Sequence, residues 1–437
     1  MPLPLWLWVT GAAATLVLSF AIVGYFMRAE PRAPRTVPVR LPGYRWIGAS
    51  ARLATQALFV LTLAAGFLGT QDPYRNLAPV MIWVVWWVGL AFMCALVGDV
   101  WAVVNPLDTL YPGTSRSVAL HYPAWLGAWP AVLLFLAFAW AELVWHDKDL
   151  PARLAWTVVA YMAVTWAGMA LFGRSVWLAR GEAFSLAFGV LGRFAPIDMR
   201  HRVLRWPGAG LASGENVPFS FLVFVLVMLS TVAFDGFLET PLAERVTTTL
   251  QSSPGLARLL FALSEYGSDE SQIIATAELV VFPLAFLAAF LATAACMVHL
   301  TRRWRPGLGV RTTACAFVFT LVPIAVAYHL SHYFSLLLTA GQFVIPLASD
   351  PFGFGWNLFG TAGYKVDLGV VSPYVFWYGA VALIVLGHVI AVVLAHRVAL
   401  REFGERRAAL VSQLPMLVLM IAYTMLSLWI MAQPIVG

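Results

Sequence analysis

Long apolar runs broken by short polar segments set the pattern of this chain from end to end. Windows of about 20 apolar residues, the length that crosses roughly 30 Å of hydrocarbon, recur ten times. They fall near 4–27, 51–70, 78–101, 119–144, 152–172, 216–237, 273–299, 312–338, 373–396 and 411–432. The pattern predicts an all-α fold, a polytopic integral membrane helix bundle of about ten transmembrane helices forming one transmembrane domain over 1–437. The first run has no basic leader and no small-residue cleavage site, so it reads as a retained helix rather than a signal peptide.

The breaks between runs differ in chemistry. Residues 31–50 begin with "PRAPRTVPVRLPG", a Pro/Arg-rich stretch that predicts an extended cytoplasmic linker. The loop 176–215 contains "VWLARGEAFSLAFGVLGRF", whose mixed apolar and basic positions predict an amphipathic helix lying along the inner membrane surface. In the loop 238–272, Leu256, Leu259, Leu260 and Leu263 share a helical face and predict a short interfacial helix. The loop 339–372, rich in Gly, Phe and Trp, is too apolar to stand free in water. It predicts a lid folded onto the helix ends.

Composition and charge sharpen this picture. Apolar residues make up 61% of the 437 and charged residues 11%, which excludes an ordinary soluble globule. The net charge of +6 is not a nucleic-acid signal, because the basic residues are distributed by loop rather than gathered in a patch. Five alternate loops hold 21 of the 27 Lys and Arg when Arg52 is included; the others hold the remaining six with acids such as Asp147, Glu239, Glu265, Asp269 and Asp350. Basic loops stay in the cytoplasm, so both termini are expected on the outer, periplasmic side. Cys94, Cys296 and Cys315 lie in apolar runs with no shared motif spacing, so neither a disulfide framework nor a thiolate metal site is indicated. Walker, GxGxxG, GxSxG, HExxH and CxxC patterns are absent, which leaves nucleotide-driven transport, dinucleotide redox chemistry and serine hydrolysis without motif support.

Candidate chemistry sits in "PIAVAYHLSHYFSLLLTAGQ", where His329, His332 and Tyr333 stand at i, i+3 and i+4 on one helical face. Ionisable groups within a span are costly and read as functional first. From a rise of 1.5 Å per residue, His332 is about 9 Å and His329 about 13 Å below the outer end of their span, with Glu278 about 8 Å deep in its own. Asp235 lies within a turn of the outer end of the sixth span. Two imidazoles and two carboxylates at similar depth suit a divalent metal, zinc or similar, with ligands His329, His332, Glu278 and Asp235. Glu278 and Tyr333 are then the catalytic candidates beside a metal-activated water. Tyr328, Gln342 and Trp356 are candidates for supporting the ligands or orienting a substrate. Two other readings remain open: the histidines as hydrogen-bonding glue between helices, or as a proton relay.

His388 is a further buried imidazole, about 22 Å from the outer end of its span. Pairing it with His332 on one haem needs helices offset by roughly 10 Å, so haem is disfavoured. His396, at an inner helix end beside arginine, needs no special role. Asp99, in "GDVWAVVNPLDTLYPGT", lies at an inner corner where Asn105-Pro106 ends the helix, and a structural role is expected there.

The segments "PLPLWLWVTGAAATLVLSF", "GDVWAVVNPLDTL" and "YHLSHYFSLLLTAGQ" resemble a family of polytopic bacterial membrane proteins labelled fenitrothion hydrolase. The resemblance covers most of the chain. It implies a bacterial inner-membrane protein and hydrolysis of an apolar organophosphorus ester, and it carries no catalytic motif onto particular residues. The competing classes are an accessory or assembly subunit of a membrane complex, with other membrane subunits as partners, and a proton-coupled transporter. Besides the lipid bilayer, no partner is specified by the residues, and nucleic acid is excluded.

Overall fold

In the computed structural model, residues 4–29, 36–39, 43–113, 120–265, 267 and 269–433 are described. Ten helices among them are long and apolar enough to cross a bilayer, so the protein is a multi-pass all-α membrane protein. We label the helices used below α1 (Leu5–Phe26), α2 (Arg45–Leu68), α3 (Leu77–Leu96), α4 (Trp129–Leu143), α5 (Pro151–Phe172), α6 (Ala183–Phe194), α7 (Phe219–Leu238), α8 (Pro241–Ser252), α9 (Pro254–Ser264), α10 (Glu270–Thr301), α11 (Val322–Thr339), α12 (Pro373–Phe403) and α13 (Arg406–Ala432). The two faces of the bundle are called the acid-loop end and the basic-loop end, after the charges of their connections.

Burial follows composition. Helix α7 is apolar on every side and almost wholly buried, so it runs through the centre. Helix α11 continues a helical stretch from Val310 to Ser349 and lies beside it. Helices α1, α12 and α13 pack as a group, with α11 against α12 and α10 against α13. On the other side α2 and α5 pair, with α3, α4 and α6 between them and the centre. Gly387 permits the α11–α12 approach: a Cβ there would lie 2.7 Å from the Pro323 carbonyl oxygen.

Polar caps set the ends. Asn76, fully buried, accepts from the Ala78 N–H and donates to the carbonyls of Ala65 and Thr70, tying the end of α2 to the start of α3. Between them, residues Val80–Gly89 of α3 coil in wide π-helical turns. At the basic-loop end Asn105 caps the turn after it through the Leu107 N–H at 2.9 Å, with Pro106 in the first position.

Several connections differ from the sequence expectation. The segment predicted to lie on the membrane surface is interior: eight residues of α6 are buried against α3, α4 and α11. Its face is apolar nearly all round, and protein contact satisfies that better than a headgroup layer does. The linker 31–50 is only partly extended. Val37–Pro38 (β1) pairs antiparallel with Val203–Leu204 (β3), which also pairs with Ile197–Asp198 (β2), and α2 has begun before residue 50. Residues 31–35 and 40–42 of that linker lie outside the described residues. The loop 238–272 forms two helices, α8 and α9. Of the predicted leucine face, Leu260 is buried while Leu259 and Leu263 are exposed. The 339–372 loop continues as helical turns to Ser349 and then folds back, with Thr361 Oγ1 donating to the Ile345 carbonyl at 2.7 Å.

Candidate functional site

Helices α7 and α11 meet near the acid-loop end. Asp235 Oδ2 accepts from Tyr333 Oη at 2.7 Å and from His332 Nε2 at 2.9 Å. The pair is mostly enclosed, with side-chain exposure of 15% for His332 and 21% for Asp235. The helical spacing of three and four puts both donors on the face that meets α7. Gly236 makes the approach possible: a Cβ at that position would meet Ile430 at 2.7 Å and Tyr328 Oη at 3.1 Å. The His332 ring stacks on Tyr328 with centroids 5.9 Å apart.

Three further charged residues lie within electrostatic reach of Asp235: Glu142 at the end of α4, Lys148 in the following loop, and Glu239 just beyond α7. Lys148 Nζ donates to the Glu142 carbonyl at 2.7 Å, which holds the cation beside the cluster. The sequence reading missed all three. Glu239, four residues after Asp235, was readable from its spacing, whereas nothing in the sequence linked Glu142 to Asp235, 93 positions away.

The other predicted residues go elsewhere. His329 is buried with Nε2 unpartnered, its ring between Trp87, Phe92 and Tyr333. Glu278 is half-buried on α10 and makes no hydrogen bond or ion pair among the described residues. Gln342 serves the acid-loop connection: its Oε1 accepts from Tyr364 Oη and from the Asp367 N–H, and its Nε2 donates to the Asp367 carbonyl. Trp356 packs against Phe352 and Phe354 in an aromatic cluster. Phe352 belongs with the apolar group around Ala65, Leu77 and Val80, so that loop is anchored over α2 and α3.

The donor set therefore does not assemble as a zinc site. His332 Nε2 is engaged by Asp235, His329 faces an aromatic shell, and Glu278 stands apart. Among the described residues no three His, Cys, Asp or Glu side chains converge as ligands. From His332 the rings of Tyr328 and Tyr423 lead in successive contacts to His388.

Those two tyrosines belong to a longer polar line. Tyr328 lies 6.3 Å from Tyr423 of α13, and Tyr423 lies 6.2 Å from His388 of α12, centroid to centroid. His388 Nδ1 donates to the Ile384 carbonyl at 2.8 Å, leaving Nε2 as a buried acceptor. Among the described residues Tyr328 Oη and His388 Nε2 have no hydrogen-bond partner, while Tyr423 Oη lies beside the Ser427 hydroxyl. Eight residues further along α12, about 12 Å, His396 donates from Nε2 to the Met27 carbonyl at 2.9 Å and accepts at Nδ1 from Gln413 Nε2. Beside Gln413 lies a cavity of about 10 Å³, lined otherwise by apolar residues such as Phe20, Val392, Ala395 and Met420. That is the volume of one water. His396, expected to be an ordinary helix-end residue, is fully buried in this line.

At the basic-loop end, Asp99 caps a turn through the Ala102 N–H at 3.1 Å, with Arg200 at 3.7 Å. Burial pushes its carboxyl above the ordinary range, opposed by the hydrogen bond from Ala102 and the charge of Arg200. Asp198 is held the other way. Burial raises it, but bonds from the His201 backbone and ring and the Arg205 guanidinium at 2.9 Å overcome that and leave it below the usual carboxylate value. Both are architectural, joining β2 to the loops around it.

No family model matches this chain, and neither a curated protein nor a solved structure matches it.

Proposed function

We propose that this protein moves protons through the membrane, with Asp235, His332 and Tyr333 as the exchange centre at the acid-loop end and the His388–His396 face as the continuation towards the basic-loop end. One observation carries the reading. The hydrogen-bonded Asp–His–Tyr cluster is followed by Tyr328, Tyr423 and His388, and among the described residues the Tyr328 hydroxyl and His388 Nε2 are buried without partners inside a membrane bundle. Unpartnered polar atoms in hydrocarbon are expensive, and a line of them is retained for a pathway rather than for stability. Asp235 takes a proton on arrival and Tyr328 and Tyr423 offer hydroxyls to pass it. His388 Nε2 receives it, and the hydrogen-bonded pair of His396 and Gln413 stands next along α12 and α13. The bacterial inner membrane implied by the family resemblance, where a proton gradient is the common energy store, suits this role.

The test is proton flux in reconstituted vesicles, driven by a potassium diffusion potential and read by an entrapped pH dye. Wild type conducts, and Asp235→Asn and His388→Leu each abolish flux. Equal flux in wild type and both variants overturns the reading.

Hydrolysis is the second reading, favoured by the Asp235–His332 bond itself. A carboxylate that orients an imidazole is the arrangement of a general base. It is tested by release of the phenolate from an aryl phosphotriester, which His332→Phe should eliminate.

A further inference from the structure

A cavity of about 530 Å³ lies away from the polar line, between α2, α3, α4, α5 and α6. Its size falls within the usual range of small-molecule sites, about 300–1,000 Å³. Its walls are hydrocarbon and aromatic ring, including Phe59, Trp86, Phe138 and Val158. Most of the polar side chains that line it are satisfied, although the Trp101 Nε1–H is buried without a partner among the described residues. Thr55, Thr62 and Thr157 each donate to a carbonyl one turn back in their own helix. The hydroxyl of Tyr161 is taken by Glu182, which is fully buried and also caps α6 through the N–H groups of Phe184 and Ser185. A polar substrate would find few partners here.

The shape is equally restrictive. Lining residues run from Leu154 to Val164 on α5 and from Thr55 to Leu63 on α2. Towards the basic loops the lining reaches Val104 and Leu107, and towards the acid loops it reaches Met81, Ala141 and Leu154, so the cavity is elongated along the bundle, as an acyl chain requires. Leu58 and Val164 line the cavity and are exposed, so it opens sideways between α2 and α5. At its basic-loop end, one turn before Thr55, stands Arg52. The side chain is fixed by an Nε bond of 2.8 Å to the carbonyl of Val103, next to the lining residue Val104, and among the described residues it forms no ion pair. Asp108, the nearby acid beyond Leu107, is paired with Arg174.

From these features we infer that the cavity holds one acyl chain of an anionic phospholipid, taken from the leaflet at the basic-loop end, with its phosphate at Arg52. An apolar void of this size loses contacts on every wall, and it offers water too few polar groups to hold it. An acyl chain entering from the side fills it without a hydrogen bond. The remaining guanidinium nitrogens of Arg52 face the headgroup layer, where a phosphate is the fitting counter-charge.

The test uses purified protein in phosphatidylcholine vesicles doped with either phosphatidylglycerol or phosphatidylcholine carrying a photoreactive group in the acyl chain. The phosphatidylglycerol probe should crosslink to lining positions of α2, α3 and α5, more strongly than the phosphatidylcholine probe. Arg52→Gln, an exposed change, should weaken the phosphatidylglycerol crosslink about fivefold, the loss of one lipid-facing charge, and leave the other probe unaffected. Ala137→Trp, which places an indole in the cavity, should remove the crosslink from these positions. The inference fails if Ala137→Trp folds and still crosslinks there at wild-type yield. It also fails if the two probes label equally and Arg52→Gln alters neither, an arm that decides the matter even when Ala137→Trp does not fold.

Discussion

The Asp235–His332 contact has two physical meanings that differ in magnitude. As a bond between an ionised carboxylate and an imidazolium it stabilises by about 1.5–3 kcal/mol. As a neutral hydrogen bond between helices in a bilayer it contributes about 0.6 kcal/mol on average and about 1.7 at most. The proton-exchange reading needs the first. A double-mutant cycle with Asp235→Asn and His332→Phe isolates the pair. Asn keeps the size and an acceptor for Tyr333, and Phe keeps a ring against Tyr328, now stacked at 5.9 Å. The Tyr333 bond is present in all four proteins and cancels. With a 2.9 Å contact and both side chains largely enclosed, screening removes little, and the expected coupling is about 1.5–2.5 kcal/mol. Reversible unfolding in bicelles, followed by fluorescence of the 19 tryptophans, supplies the four stabilities. Coupling below about 0.6 kcal/mol would show ordinary helix glue and refute an ionised centre.

Three other outcomes are expected. His329→Phe should leave stability within about 1 kcal/mol of wild type and leave proton flux intact, because it replaces an unpartnered imidazole in an aromatic shell; His396→Phe, losing two bonds, should cost about 1–3 kcal/mol in the same unfolding assay. Gly387→Ala should destabilise by about 1–3 kcal/mol, since its Cβ would lie 2.4 Å from that of Ala327 and the two helices must part; an unchanged melting temperature would contradict the close packing. Asp198 gives a pH dependence. Its carboxyl is depressed in the folded protein, so its contribution is complete above the unfolded value near 3.8 and fades as pH falls through the folded one. Asp198→Asn should therefore be less stable than wild type at pH 6, with the gap closing in melts taken below about pH 4.

Much of the site was within reach of the residues alone. The three- and four-residue spacing of His329, His332 and Tyr333 predicted one face, and depth along the helix predicted that Asp235 lay level with His332. Glu278 sits at a similar depth yet remains apart, because depth fixes only one coordinate and the rotation of α10 fixes the other. Tyr423 and His388 show the same gap in reverse: on separate helices at unremarkable positions, they become neighbours only through the packing of α12 and α13. Helix α6 misled for a related reason. Its composition fits a surface or an interior helix, and the free space between α3, α4 and α11 decides between them.

The sequence by itself determined that ten segments cross a membrane and where the helices break. Those outcomes depend on transfer of each segment from water to hydrocarbon and on local backbone chemistry at Asn76, Asn105 and Pro106, which need no knowledge of neighbours. Only the tertiary structure decided which polar groups meet, that Tyr328, Tyr423 and His388 become neighbours, and that an apolar space is left between α2 and α5. Inside a bilayer the lipid and the protein are equally apolar, so hydrophobicity fixes no rotation. Close approach at small residues such as Gly236 and Gly387, together with a few hydrogen bonds, sets those positions instead.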